Sequence, residues 1–453
     1  MRIQENLEKS KYEADGSIQI QGTTIPYHTI CEDNFFVDEE NNPVASIFSY
    51  AYFRSDIQDN SKRPILFIYN GGPGCASLWL HMGLFGPRIV KLDDELNLPT
   101  VPPFELEDNP HCLLDLCDLV FIDPVGTGLG RLIQENARKK FYETHGDVRS
   151  VSKFIEQFLA RYNRRNSPVL LAGELMGAGP EKADTMGISV SGIFLLGSYF
   201  IEKLPVEASA TDLITMAATN YFHNPKENIS QKDFIDKAFT FASTEYVTAL
   251  FLGDACPNKE EIADKLAYYS GIDKAYWLRH HLHMDMQKGF AHKLLEDKGL
   301  ALGFYDGRYT WNDDPEIMEA NVIADDPAMG QYTPAFQTAY GLMRQELNIT
   351  SDRISKGLVF DVNMTWNREF KTSPAQSLAG CMRRNKRMKV FFASGLYDLC
   401  TTAGNARYLA THSNLDQNRV TIGEYPSGHM AYLGKESFDL LAKDMRAFFE
   451  SCI

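Results

Sequence analysis

The sequence lacks any long uninterrupted apolar run. None of its 453 residues falls in a stretch approaching the roughly 18 to 20 apolar residues of a membrane-spanning helix. The first residues, MRIQENLEKSKYEADGS, mix acids and bases and contain no apolar block of the kind found in signal peptides. We therefore expect a cytoplasmic protein that has no membrane as a partner.

Clusters of positive charge are also scarce. The formal net charge is −15 at neutral pH, and the one basic run, Arg383-Arg384-Asn385-Lys386-Arg387, is short enough to be a solvated loop. Binding to a phosphate backbone needs clustered lysine and arginine. The charge balance therefore excludes nucleic acid from the expected partners.

Paired metal-ligand spacings are missing as well. The eight cysteines are scattered, at positions 31, 75, 112, 117, 256, 381, 400 and 452. His280, His281 and His283 stand close together in WLRHHLHMDM, but we interpret this segment as a helix, in which adjacent side chains point to different faces. We expect no metal and no cofactor, and reduced thiols in a cytosolic setting. The even number of cysteines would permit disulfides in an exported protein.

Short β-rich runs that end in glycine-rich or acidic turns are the main positive feature of the first half. Hydrophobic residues make up 44% of the chain, which is ample for a large core. The runs are Ile65–Tyr69 before NGGPG, Asp118–Ile122 before DPVGTG and Pro168–Ala172 before GELMG. Between the last two, apolar residues recur at helical spacing from 147 to 164. This alternation predicts an α/β fold with a mostly parallel sheet and helices on both faces.

Three further strands are predicted at 189–196, 388–393 and 420–425. From about 206 to 380 the sequence becomes rich in helical patterns, aromatics and acids, as in ISQKDFIDKAFTFASTEYVTALF. We interpret residues 1–205 and 381–453 as the core of the fold, and residues 206–380 as a helix-rich cap inserted into it.

Gly173 and Gly177 have the spacing of a nucleophile elbow, the sharp strand-to-helix turn that carries the nucleophile of an α/β-hydrolase. In that fold an acid follows a late strand and a histidine follows the last one. Asp398 and His429 stand at these places, so His429 could act as a base that Asp398 orients. The position between the two glycines that should hold the nucleophile is occupied by Leu175.

The loop Asn70-Gly71-Gly72-Pro73-Gly74 is a candidate oxyanion site, because glycines let backbone amides approach a reacting carbonyl closely. Glycine and proline are common in loops of every kind, so this turn is informative only together with the elbow and the order of the acid and histidine.

Taken together, these segments resemble the serine carboxypeptidase family, in particular its shorter bacterial-type members. The stretches that carry the resemblance are PILFIYNGGPGCASLWLHMGLFGPR, DLVFIDPVGTGLG, GDVRSVSKFIEQFLARYN, SPVLLAGE, ASGLYDLCT and YPSGHMAYL. The resemblance implies an α/β-hydrolase fold with a helical cap, and an ancestral activity that removes the C-terminal residue from peptides. The ligand it implies is a peptide, or a small acyl compound, in the cleft between core and cap.

The resemblance also implies roles for individual residues. Gly72 and Met176 would donate the oxyanion-hole amides, and Asp398 and His429 would complete the triad. Asn70 and Glu174 would bind the free carboxylate of the substrate, sharing a proton with it at acidic pH. A second glutamate of many relatives would fall near Leu84, so this part of the carboxylate site is absent.

Leu175 carries no nucleophilic atom. In another serine protease, loss of the triad serine costs on the order of a millionfold in turnover, so we expect impaired hydrolysis. Only residues 178–186 separate the elbow from the next strand, whereas relatives have a longer helix there. We therefore also expect that Leu175 departs from elbow geometry or that the Met176 amide points away from Gly72.

An active serine-type carboxypeptidase or esterase with an altered or surrogate nucleophile is the alternative hypothesis. Cys75 and Ser198 are the candidate surrogates, and for both a structural role is favoured. A scaffold protein that uses only the hydrolase body has no positive signal in the sequence.

Overall fold

The computed structural model describes residues 9–92, 94–98, 101–174, 187–198, 205–314, 316, 325–369 and 373–453. Within these ranges one large twisted sheet has the strand order β1-β2-β3-β7-β4-β9-β10-β13-β14, with β8 paired to β3. Two small two-stranded sheets pair β5 with β6 and β11 with β12. The strands of the large sheet are β1 Lys11–Ile20, β2 Thr23–Val37, β3 Pro43–Arg54, β4 Ile65–Asn70, β7 Asp118–Asp123, β8 Arg131–Leu132, β9 Val169–Glu174, β10 Val190–Leu196, β13 Lys389–Gly395 and β14 Val420–Tyr425; the small sheets contain β5 Arg88–Val90, β6 Leu106–Asp108, β11 Leu300–Leu302 and β12 Thr310–Asn312.

The strands from β7 to β14 in this order pair in parallel, and each predicted strand of the first and last parts of the chain is confirmed within one or two residues. Side chains alternate along β4, so that Ile65 and Phe67 belong to one buried cluster and Leu66 and Ile68 to the other. The sheet is therefore covered on both faces, which confirms the predicted α/β class.

The antiparallel strands β1, β2 and β3 were not predicted. They precede the parallel part and join it through β3, which pairs antiparallel with β7. The turn between β1 and β2 consists of Gln21 and Gly22, both with positive φ, at 49° and 78°. Such a two-residue turn between alternating polar and apolar residues is a hairpin signal that sequence inspection could have used.

Helices pack on both faces of the sheet, and they also make up most of the segment between β10 and β13. The predicted helix at 147–164 is confirmed with shifted ends, at Thr144–Arg161. The α-helices are Leu78–Leu80, Arg138–Phe141, Thr144–Arg161, Pro205–His223, Gln231–Phe241, Val247–Leu252, Lys259–Ser270, Lys274–Arg279, Ala291–Lys293, Pro327–Glu346, Phe360–Thr365, Pro374–Arg384, Ala403–His412 and Lys435–Cys452; π-helical turns are His81–Phe85, Ala242–Tyr246 and Met286–Phe290, and 3₁₀ turns are Glu135–Ala137, Gly253–Ala255, Glu296–Lys298 and Gln417–Arg419.

The region between β10 and β13 contributes to two different buried clusters. Residues from Leu213 to Leu302 form a cluster of their own, which Leu399 joins from the end of β13. The helix Pro327–Glu346 instead buries Tyr332, Phe336 and Tyr340 in the cluster on one face of the large sheet. The division into a core and a cap at 206 and 380 remains a prediction, and within it the later helix packs as part of the sheet layers.

The prediction of a continuous helix through WLRHHLHMDM is wrong. The helix Lys274–Arg279 ends before the histidines, and His281 and Leu282 have positive φ values of 53° and 65°. The chain turns there because Leu282 is buried in the separate cluster. Among the residues that the structure describes, no group of histidine, cysteine and acidic side chains has the arrangement of a metal site. The helices that are described include none both long and apolar enough to cross a membrane.

Candidate active site

The carboxyl ends of the parallel strands β4, β9, β10, β13 and β14 meet at one edge of the sheet. Asn70 is the last residue of β4 and Glu174 the last of β9, and the strand register places them opposite each other. The Asn70 amide donates a hydrogen bond to Glu174 Oε2, and both side chains are buried. Asn70 Oδ1 in turn accepts from the backbone N–H of Leu80 at 3.2 Å. The two residues expected to bind a carboxylate therefore form a fixed pair.

Asp398 and His429 come together from loops that follow β13 and β14. The imidazole Nδ1 lies 2.8 Å from Asp398 Oδ2, with Asp398 fully buried and His429 nearly so. The two residues are thus arranged as the acid and base of a triad. The other ring nitrogen, Nε2, lies 3.9 Å from Glu174 Oε1, so the dyad and the Asn70–Glu174 pair share one site.

Thr401 holds the acid of the dyad in place, a role that sequence inspection missed. Asp398 Oδ1 accepts backbone hydrogen bonds from Cys400 and Thr401, each at 2.9 Å. The Thr401 hydroxyl donates to Asp398 Oδ2 and lies 3.2 Å from His429 Nδ1. In GLYDLCT an aspartate is followed by residues whose backbone N–H groups can donate to its carboxylate, which is the pattern of an Asx-type turn. This pattern could have indicated the arrangement.

Burial and neighbouring charges shift the pKa values of Glu174 and His429. Burial raises the pKa of the Glu174 carboxyl to about 7, although His429 and Asn70 pull it downward. For His429, burial would lower the pKa, but the charge of Asp398 and its hydrogen bond outweigh burial and raise the pKa to about 9. The raised pKa of His429 favours the imidazolium at neutral pH, and the raised pKa of Glu174 favours its protonated form at pH values where an exposed glutamate is ionised.

A segment from 305 to 308 anchors the loop that carries His429. The backbone N–H of His429 donates to the carbonyl of Tyr305 at 2.7 Å, and the two rings meet edge to face at 5.3 Å. Arg308 is buried, pairs with Asp306 at 2.8 Å and donates to the carbonyl of Pro426 at 3.2 Å. The contacts of Tyr305 with His429 and of Arg308 with Pro426 span more than a hundred residues of sequence, so no local pattern predicts them.

The glycine loop after β4 is packed closely against the segment 357–363. Gly72 and Gly74 have φ values of 133° and 103°, which favour glycine. A Cβ on Gly74 would lie 2.7 Å from the carbonyl of Val359, and the Asn363 amide donates to the carbonyl of Pro73 at 2.9 Å. The loop is thus held in one conformation beside Asn70.

Part of the candidate site lies outside the described residues. The residues of the site region that are not described are Leu175, Met176 and Gly177, together with residues 178–186. The expectations about the elbow, about the Met176 amide and about the shortened helix accordingly stay predictions, as does the oxyanion role of Gly72.

The remaining candidates have buried or apolar surroundings. Burial raises the pKa of the Cys75 thiol to about 12, so at neutral pH Cys75 does not form the thiolate that a cysteine nucleophile needs. Ser198 is buried directly after Gly197, at the end of β10. Leu84 is fully buried in the apolar cluster and contributes no polar group to the site.

The chain resembles known carboxypeptidases in its first half. The family model described as serine carboxypeptidase matches residues 35–177. The pheromone-processing carboxypeptidase KEX1 of Saccharomyces cerevisiae strain JAY291 is 31% identical over 132 residues, which are 28% of this chain and 16% of that protein. Serine carboxypeptidase-like 5 of Arabidopsis thaliana is 26% identical over 128 residues, 28% of each protein. The match therefore spans a small part of the KEX1 relative, and the family model ends before Asp398 and His429.

The fold extends the likeness to nearly the whole chain. The crystal structure of KEX1(delta)p, a prohormone-processing carboxypeptidase from Saccharomyces cerevisiae, superposes with a TM-score of 0.57 over 94% of this chain and 91% of that one, at 15% identity. An identity this low speaks for the fold alone, and the sequence match to serine carboxypeptidases rests on residues 35–177. The chain is therefore similar to serine carboxypeptidases over residues 35–177 and in its α/β fold, and its residue 175 is leucine.

Proposed function

We propose that this protein binds the free C-terminal carboxylate of peptides, or a small acyl compound with a carboxylate, and is impaired in hydrolysis. The observation that carries the proposal is the juxtaposition of the buried Asn70–Glu174 pair with the His429–Asp398 dyad in a chain whose residue 175 is leucine. The ligand would lie in the cleft between core and cap.

The protonation of the site supports recognition of a carboxylate. A protonated Glu174 can donate a hydrogen bond to a carboxylate, and Asn70 Nδ2 offers a second donor. His429 adds a positive charge 3.9 Å away from Glu174. The raised pKa of His429 favours the imidazolium, which attracts an anion but cannot accept a proton.

The absence of a hydroxyl at position 175 supports the loss of turnover. An isobutyl side chain cannot attack a carbonyl, and a serine protease without its nucleophile retains an advantage over water of roughly a thousandfold to ten-thousandfold. The acid and base of the dyad can be intact without changing this, because they activate a nucleophile that the chain does not supply.

A fluorophosphonate probe tests the impairment directly. We expect no labelling of the natural chain and covalent labelling of the Leu175→Ser variant, because the dyad would then have a hydroxyl to activate. The double variant Leu175→Ser/His429→Ala is the matched control and should label far more slowly. Labelling of the natural chain that disappears on His429→Ala would refute the impaired-enzyme proposal.

The complete His429–Asp398 hydrogen bond favours a second candidate, an active carboxypeptidase or esterase with a surrogate nucleophile. Within the described part of the chain, the Thr401 hydroxyl contacts the dyad, yet it lies on the Asp398 side of the ring rather than at Nε2. Cys75 is disfavoured by its raised pKa. Mass spectrometry of the protein treated with the probe would identify a modified residue if this candidate were correct.

A cytoplasmic location is proposed on chemical grounds, because all eight cysteines are free and a reducing compartment keeps thiols in that state. Thiol titration of protein unfolded without reductant should find all eight. Fewer reactive thiols in protein purified from its natural source would speak against this location.

A further inference from the structure

Two buried polar atoms at the edge of the site have no hydrogen-bond partner among the described residues. They are Glu174 Oε1 and the hydroxyl oxygen of Tyr432, and both side chains are more than nine-tenths buried. A buried polar atom left without a partner costs on the order of 1 to 3 kcal/mol. Glu174 lies close enough to Tyr432 for its charge to raise the pKa of the phenol, so the two atoms could serve one polar ligand.

Tyr432 reaches the site from the loop that carries the base. It follows His429 by three residues, and its ring packs on Gly83 in the helical turn His81–Phe85. A Cβ on Gly83 would lie 2.3 Å from Tyr432 Cε2, so only glycine leaves space for the ring. Gly83 is adjacent to Leu84, whose side chain is apolar and buried. The ring of Tyr432 therefore packs on the turn that follows Leu80, whose backbone N–H donates to Asn70 Oδ1.

The hydroxyl of Tyr432 is suited to donate a hydrogen bond. Burial, together with the charges of Glu174 and Cys75, raises the pKa of Tyr432 well above its usual value. The phenol stays protonated over the whole working pH range. A donor of this kind needs no shared proton, in contrast to a carboxyl group, which donates only when protonated.

We propose that Tyr432 is a ligand-binding residue, and that its hydroxyl donates a hydrogen bond to the carboxylate held by Asn70 and Glu174. This inference rests on the proposed function and deepens it, because it makes the ligand an anion recognised by two neutral donors and one acid. Phenylalanine would pack against Gly83 equally well, so packing alone does not account for the hydroxyl of Tyr432.

Binding of matched acid and amide ligands tests the inference. The probes are three N-acetyl dipeptides ending in leucine, phenylalanine or lysine, each as the free acid and as the C-terminal amide. Dissociation constants are measured by calorimetry at pH 6 for the natural chain, Tyr432→Phe, Asn70→Ala and the control Tyr332→Phe. Tyr332 also has a buried hydroxyl without a partner among the described residues, but its neighbours are Tyr309 and the cluster under the sheet.

We expect the natural chain to prefer at least one acid over its amide. The Tyr432→Phe variant should bind that acid about tenfold more weakly, as for loss of a hydrogen bond to a charged group, and bind the amide almost unchanged. The Tyr332→Phe variant should behave like the natural chain. Its melting temperature and that of Tyr432→Phe should stay near the natural value, since neither variant removes a hydrogen bond seen in the protein.

The outcomes separate the two proposals. If Tyr432→Phe keeps the full preference for the acid while Asn70→Ala loses it, the role of Tyr432 is refuted and the proposed function stands. If the natural chain prefers no acid over its amide, the proposed function fails and the role of Tyr432 fails with it. An equal loss in Tyr432→Phe and Tyr332→Phe would also overturn the inference, because it would reflect a general effect of removing a buried hydroxyl.

Discussion

Gly197 lies directly against the imidazole of His429. A Cβ on Gly197 would come within 3.0 Å of His429 Cε1 and 3.1 Å of the Thr401 hydroxyl. Gly197 also has a positive φ of 55°. The end of β10 thus forms the floor on which the ring of the base rests, and both the contact and the backbone angle require glycine.

Substitution of Gly197 should therefore displace His429. We expect Gly197→Ala to lower the free energy of unfolding by about 2 kcal/mol or more, from the left-handed backbone of a non-glycine residue together with the close contact. The histidine resonances in an NMR spectrum should shift as well.

Gly187→Ala is the matched control for this substitution. Gly187 also has a positive φ, at 75°, but no residue that the structure describes lies within 4 Å of its added Cβ. The Gly187→Ala substitution should lower the free energy of unfolding by about 1 to 2 kcal/mol, as measured by urea denaturation. It should leave the His429 resonances unchanged. Equal effects of the two variants would show that the contact with His429 has no energetic role.

The charge of Asp398 should set the protonation of His429. The raised pKa of about 9 depends on Asp398, so Asp398→Asn should lower the His429 pKa by roughly one to three units. An NMR titration of the histidine ring protons measures this. A His429 that titrates at the same pH in both proteins would contradict the proposed coupling.

Binding of a peptide acid should weaken as the pH rises through about 7. Glu174 has a pKa near 7 and donates to a carboxylate only when protonated, whereas a peptide carboxylate is ionised at every pH of interest. Between pH 6 and pH 8 we expect the affinity of the natural chain to fall about tenfold. His429, with its pKa near 9, remains charged over most of this interval.

Glu174→Gln separates this effect from other titrations. The glutamine amide donates at every pH, so the variant should bind the acid with little change between pH 6 and pH 8 and exceed the natural chain at pH 8. An unchanged pH profile in the variant would show that another group controls binding.

Arg308 should be essential for stability because it compensates a buried charge. Arg308→Met leaves Asp306 buried without its 2.8 Å partner, and removal of one member of a buried pair costs about 3 to 5 kcal/mol. Arg165→Met breaks an exposed pair with Glu156 at 3.1 Å and should cost less than about 1 kcal/mol. Urea denaturation distinguishes the two cases, and equal costs would contradict the assignment of Arg308 as a buried anchor.

The parallel strands and the loops after them could be predicted from the sequence with good accuracy. The runs that became β4, β9 and β13 are apolar and bounded by turns, a local property. The helix through WLRHHLHMDM was predicted wrongly because its helical pattern competes with burial of Leu282 in a cluster built from distant residues. The antiparallel β1–β3 unit was missed although its turn residues, Gln21 and Gly22, carried a hairpin signal.

By itself the sequence determined the α/β class, the absence of a nucleophilic atom at Leu175 and the residues that became the dyad and the Asn70–Glu174 pair. The class and the dyad residues follow from local patterns and from the order of strands, because parallel strands bring their carboxyl ends to one edge. The roles of Asn70 and Glu174 were instead implied by the resemblance to serine carboxypeptidases. Only the tertiary structure decided that Gly197 supports His429, that Arg308 anchors its loop and that Tyr432 reaches the site past Gly83. These contacts join residues far apart in the chain, and their formation depends on how whole layers pack, which no local pattern encodes.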